Sequence, residues 1–335
     1  MKSRQRAAAL LEVLGVYVAG QLVTGQLIHL LGIRPTNPLN NLTVGVADAE
    51  LTSATWQLFV LLMLQYAGWF LLIIPINYWH RHRGPAAYGL TRAGHSWTTL
   101  ILAGLATSAL CVWPALAVDF VNAIRPFGET VPWRQALFDT SWRRWEFWLF
   151  TAVLSWGFVA IVEEIFFRGY CQRRLAEDWG DGAAIAGITC LFIFAHSQYL
   201  EPNAYNAAKI PSLLLAALGS GVVFAWTRSL VPSVVAHAIS NLPMTPFWQG
   251  VIVATLIVGA VDAARRGAAV VKEVFSRAAF VPCAVLGVVG AGYAIVSARL
   301  DGFVFVAAAM VVLAVVLEAM DRPRERAASP SVAQA

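Results

Sequence analysis

An all-α polytopic membrane protein, with about 8–10 transmembrane helices and a polar cavity inside the membrane, is the fold class this sequence predicts. Three observations carry it. The 335 residues are 59% hydrophobic and 13% charged, with a mean hydropathy of +0.65, whereas soluble domains carry about 25% charged residues. Apolar runs of crossing length, roughly 20 residues each, recur along the chain. Clustered polar residues intrude on those runs at three places, all within residues 163–241.

The runs lie at 7–32, 54–78, 97–119, 146–167, 182–199, 210–227, 231–243, 246–263, 278–297 and 302–320. The seventh is short and bounded by Pro243 and Pro246, so it reads as a partial span or as one fused to the eighth. Trp56, Trp79, Trp97 and Trp145 stand near run ends, where indole rings anchor at the membrane–water interface.

The net charge of +5 is a topology signal and does not point to nucleic acid. Lys2, Arg4 and Arg6 precede the first run, and Arg81, Arg83 and Arg92 follow the second. Arg173 and Arg174 follow the fourth, Arg228 the sixth, Arg265, Arg266 and Lys272 the eighth, and Arg322, Arg324 and Arg326 the last. With ten spans every cluster falls on one side, and the excess of basic residues puts both termini in the cytoplasm. Fusing the seventh and eighth runs would move the last two clusters outside, so ten is preferred. Segment 120–145, with Arg125, Arg134, Arg143 and Arg144 against Glu129 and Asp139, runs against this pattern.

Glu12 interrupts the first apolar stretch, which continues to Ile33, so a retained span is favoured over a cleaved leader. Cys111, Cys171, Cys190 and Cys283 are scattered, with neither metal spacing nor a disulfide framework. The organisation expected is N-terminal transmembrane helices over 1–79, a catalytic core over 80–264, an extra helix pair over 265–320 and a disordered cytoplasmic tail over 321–335.

Chemistry enters at Glu163-Glu164-Ile165-Phe166-Phe167-Arg168. A charge at bilayer depth costs roughly 2.5–3.5 kcal/mol even on mild insertion scales, and such groups face a protein interior or a wet cavity. Positions four apart share a helical face, so Glu164 and Arg168 form a natural ion pair. Glu163 points about 100° away and is left out of that pair. Two adjacent carboxylates thus acquire different surroundings, and with them different roles. The second intrusion is Phe192-Ile193-Phe194-Ala195-His196, whose Phe192 ring packs on the face that presents the imidazole. Glu163 and His196 flank a turn near Trp179-Gly180-Asp181-Gly182 symmetrically, which puts them at one level of a helical hairpin. The third is His237-Ala238-Ile239-Ser240-Asn241, where His237 and Asn241 share a face and both donate hydrogen bonds, as an anionic transition state requires. Taken singly, these groups read equally as a buried salt bridge, a core histidine and an interhelical polar clamp.

The ordered pattern Glu-Glu-x-x-x-Arg, Phe-x-x-x-His and His-x-x-x-Asn resembles the CPBP family, which comprises type II CAAX prenyl proteases and bacteriocin-processing and immunity-related (Abi) membrane proteins. The approach from Arg228 through Val231-Pro232-Ser233 to His237 is similar, as is Tyr88-Gly89-Leu90-Thr91-Arg92; the resemblance covers about residues 80–260. It implies an all-helical intramembrane endopeptidase in which Glu163 activates water and His196 helps hold it. His237 and Asn241 would stabilise the oxyanion, and Glu164 and Arg168 would support them. The implied substrate is a membrane-anchored or lipidated protein or peptide, and the expected location is a bacterial inner membrane. No cofactor is favoured. Zinc, held by Glu163, His196 and His237, is the other possibility, although no His-Glu-x-x-His spacing is present. Two further readings use the same buried residues: a proton-coupled transporter and a non-catalytic immunity or scaffold protein.

Overall fold

A computed structural model of the chain describes residues 2–33, 48–80, 84–125, 145–148, 153, 156–196, 199, 204–242 and 246–276. The runs expected at 278–297 and 302–320, the tail and Cys283 lie outside them. The described residues are helical, with no strand among them. Apolar helices satisfy their own backbone groups, which is what a bilayer demands.

Helix α1 spans Lys2–Leu30 and α2 Asp48–Trp79. A short turn at Pro85–Tyr88 leads to α3, Trp97–Thr107, which continues through a π-helical turn, Ser108–Val112, into α4, Trp113–Ile124. Helix α5, Ala160–Glu164, passes without a break into a π-helix over Ile165–Gln172 and then α6, Arg173–Trp179. Gly180, at φ 84°, turns the chain into α7, Asp181–Ala195. Then follow α8, Ala204–Thr227, α9, Val231–Ser240, and α10, Pro246–Ser276.

By length and composition, Arg4–Leu30, Thr52–Trp79 and Ala204–Thr227 are long and apolar enough to cross a membrane. Large apolar side chains such as Leu11, Leu22, Leu71 and Ile257 face outward, as lipid contact requires. Together these features make the chain an integral membrane protein. Helix α8 is the central post: 67% of its apolar window is buried against 22% for that of α2. It packs on α3, α4, α7 and α9.

Several helices depart from the predicted runs. Helix α7 stops at Ala195, with His196 as its cap, so the fifth run is shorter than 182–199. The motif helix outlasts 146–167 and continues to Trp179. That extension lets Glu163 and His196 lie at one depth, each about 24 Å from the Gly180 turn at 1.5 Å per residue. Helix α10 outlasts 246–263, so Arg265 and Arg266 lie on the helix and not in a loop.

The seventh run becomes the ten-residue α9, about 15 Å long. Its Pro232 and Val235 press on Gly104 of α3, while Gly259 of α10 sits against Leu105. Ile239 and Ile252 meet Val112 and Leu116 further along. Helices α9 and α10 therefore run out and back beside α3 as two elements, which is why the seventh and eighth runs stay separate.

That hairpin returns α10 to the end of the bundle where α9 begins. The other basic clusters within the described residues meet there too. Arg6 donates to the Asp178 carbonyl (2.9 Å), Arg228 forks onto Asp181 (3.0 and 2.8 Å), and Ser229 Oγ donates to the Thr91 carbonyl beside Arg92 (2.6 Å).

Candidate active site

The π-helix carries the first motif into the interior. All eight of its residues are buried, and π segments within α-helices recur at functional sites. Gly169 makes this possible: a Cβ there would lie 2.5 Å from the Tyr88 carbonyl oxygen. The Tyr88–Arg92 loop thus braces the motif helix directly. It also steers α9, because Leu230 N–H donates to the Gly89 carbonyl at 2.9 Å.

Four ionisable side chains meet at this point. Arg168 Nη1 donates to Glu164 Oε1 at 3.0 Å, both side chains being 1% exposed. The same oxygen lies 2.9 Å from His237 Nδ1 on α9. His237 Nε2 lies 3.9 Å from Glu163 Oε2. Glu163 Oε1 accepts from the Tyr66 hydroxyl of α2 at 3.0 Å, while its Oε2 is buried with no hydrogen-bond partner among the described residues. The carboxylates therefore diverge as their helical spacing predicts. Glu164 meets Arg168 and His237 through Oε1, whereas Glu163 meets the neutral Tyr66 hydroxyl; each carboxylate leaves its Oε2 buried with no hydrogen-bond partner among the described residues.

Residues 144–243 match the family model described as Type II CAAX prenyl endopeptidase Rce1-like. That segment is similar to the Rce1-like family. No curated protein and no solved structure matches the chain. The match spans all three motifs and the Glu163–Glu164–Arg168–His237 cluster, and it ends just after Asn241.

Phe192 organises the rest of the Rce1-like site. Its ring packs at a tilt against the imidazole of His196 (centroids 4.4 Å apart, planes 39° apart), meets His237 edge-on (6.1 Å) and receives the Arg168 guanidinium (4.6 Å). His196 lies 2.7 Å through Nδ1 from the Phe192 carbonyl. A carbonyl only accepts, so that nitrogen carries the proton and Nε2 keeps its lone pair. The His196 imidazole stands within electrostatic reach of Glu163 and His237.

Asn241 closes α9 as its C-terminal cap, with its N–H 3.2 Å from the carbonyls of His237 and Ala238. It is thus one turn from His237, at a helix end and not in a helix interior. A cap there suits a recognition group, because the amide is held by its own backbone turn.

Among the described residues no group of three or more His, Cys, Asp or Glu side chains converges on a metal-holding point, the set Glu163, His196 and His237 included.

Sequence reasoning missed two contributors, both outside the Rce1-like segment. Tyr66 is one. The other is Glu12, which accepts from Tyr170 Oη (3.0 Å) and Arg174 Nε (3.0 Å) and lies 3.1 Å from His80 Nε2. An acidic residue inside the first apolar run signalled a buried partner, but nothing in the sequence named it. Tyr66 carried no such signal, since a tyrosine in an apolar helix is ordinary.

Proposed function

We propose that the chain is an intramembrane endopeptidase that hydrolyses a peptide bond of a membrane-anchored or lipidated substrate. The observation that carries this reading is the division of labour between the paired carboxylates. Glu164 Oε1 is shared by Arg168 and His237, whereas Glu163 is held through Oε1 by the neutral Tyr66 hydroxyl and presents its buried Oε2 3.9 Å from His237 Nε2.

Glu163 acts as general base at Oε2, taking a proton from water held against His196 Nε2. The resulting hydroxide adds to the scissile carbonyl carbon. His237, oriented through Nδ1 by Glu164, donates from Nε2 in its protonated form to the oxygen that gains charge, and the Asn241 amide donates beside it. With that proton, two carboxylates face one guanidinium and one imidazolium, and the cluster is neutral. Collapse of the tetrahedral intermediate breaks the C–N bond, and Glu163 returns its proton to the departing amine. The protein sits in a bacterial cell membrane with both termini in the cytoplasm.

The test is cleavage of a membrane-tethered peptide library by purified protein, with Glu163→Ala beside it. Cleavage by the wild type alone supports the reading. Equal behaviour of the two proteins overturns it and favours a relay or scaffold use of the same residues.

A further inference from the structure

We propose that Tyr66 of α2 is a positioning residue for Glu163, so that the site is completed by a helix outside the Rce1-like segment; this rests on Glu163 acting as the base.

The contact is well defined. Tyr66 is 3% exposed, and its hydroxyl donates to Glu163 Oε1 at 3.0 Å. A carboxylate offers two oxygens to an incoming proton, and it rotates unless something holds it. With Oε1 engaged by a buried phenol, Oε2 is left as the accepting atom, and it is the oxygen nearest His237 Nε2. Such a donor fixes the orientation of the base.

The contact belongs to a built interface. Trp69, three residues along α2, stacks on Phe166, three residues along the motif helix, with centroids 4.2 Å apart and planes 13° from parallel. Further on, Arg173 Nη2 donates to Asn77 Oδ1 at 3.1 Å. Tyr66–Glu163, Trp69–Phe166 and Asn77–Arg173 are three rungs between two helices running in the same direction. They set the register of α2 against the motif helix, so the phenol's height is determined by the two rungs that follow it along the helix.

Tyr66→Phe removes the hydroxyl and keeps the ring that packs against Trp69 and Phe158. In the tethered-peptide assay, kcat is expected to fall about 10–100-fold, the scale of one hydrogen bond to a charged group. KM should stay within about twofold, because the phenol does not touch substrate. A purely structural tyrosine would lower the melting temperature and leave the kcat of the folded protein where it was.

Glu163→Gln, measured alongside, separates the two ideas. An inactive Glu163→Gln beside a Tyr66→Phe with wild-type kcat overturns the Tyr66 assignment alone. A Glu163→Gln that cleaves like wild type overturns the general-base reading, and the Tyr66 assignment with it.

Discussion

His237 Nδ1 lies 2.9 Å from Glu164 Oε1, joining the third motif to the first across 73 residues of chain. Glu164 is therefore more than the partner of Arg168. It holds the imidazole by one nitrogen and turns the other toward Glu163. A carboxylate that orients a histidine in this way fixes its tautomer.

This arrangement predicts that Glu164→Gln and Arg168→Ala lose stability together with activity. Removing one member of a buried ion pair typically costs about 3–5 kcal/mol. Melting temperatures in detergent, read beside initial cleavage rates, check this. A variant with a wild-type melting temperature would show that the pair is not structural.

Glu163→Gln should separate the two properties. Its amide oxygen still accepts from Tyr66, and the charge on an oxygen with no hydrogen-bond partner among the described residues is gone. Stability should match or exceed wild type while cleavage disappears. The same two measurements decide it, and a cleaving Glu163→Gln removes Glu163 as the base.

Turnover in His237→Ala and in Asn241→Ala should fall about 10²–10³-fold, the usual cost of one oxyanion donor. The cap bonds of Asn241 run through the backbone N–H, which alanine retains. Steady-state rates of the two variants test this. Wild-type rates in both would make the pair a packing clamp.

Gly169→Ala should destabilise the protein by about 1–3 kcal/mol, the usual cost of overpacking. The new methyl would meet backbone at the Tyr88 carbonyl, which has no flexible end to move aside. A melting temperature equal to wild type would show that the Tyr88–Arg92 loop yields without cost.

Reporter fusions at the N-terminus and after Arg326 should both report the cytoplasm. The basic clusters among the described residues gather at one end of the bundle, consistent with a single positively charged face. An external signal from the N-terminal fusion would reverse the orientation, and an external signal from the C-terminal one would change the number of crossings after α10.

The sequence alone determined the fold class, the three polar intrusions and the Glu164–Arg168 pair. All three depend on local quantities: apolar run length, helical periodicity and four-residue spacing. Periodicity also separated Glu163 from Glu164, since neighbours on a helix diverge by about 100°. The turn near Gly180 was legible too, but the level of Glu163 against His196 depended on how far the motif helix runs, which the sequence left open.

What the tertiary structure decided is which helix comes to lie beside which. Apolar runs are interchangeable as membrane spans, so nothing in the composition of α2 marked Tyr66 as the neighbour of Glu163, or Glu12 as the acceptor for Tyr170 and Arg174. Those pairings arise where close fits set the register: Trp69 on Phe166, Gly169 under Tyr88, Gly104 against Val235. Helix ends were decided there as well, because run length measures hydropathy, whereas a helix stops where caps such as His196 and Asn241 satisfy its last carbonyls.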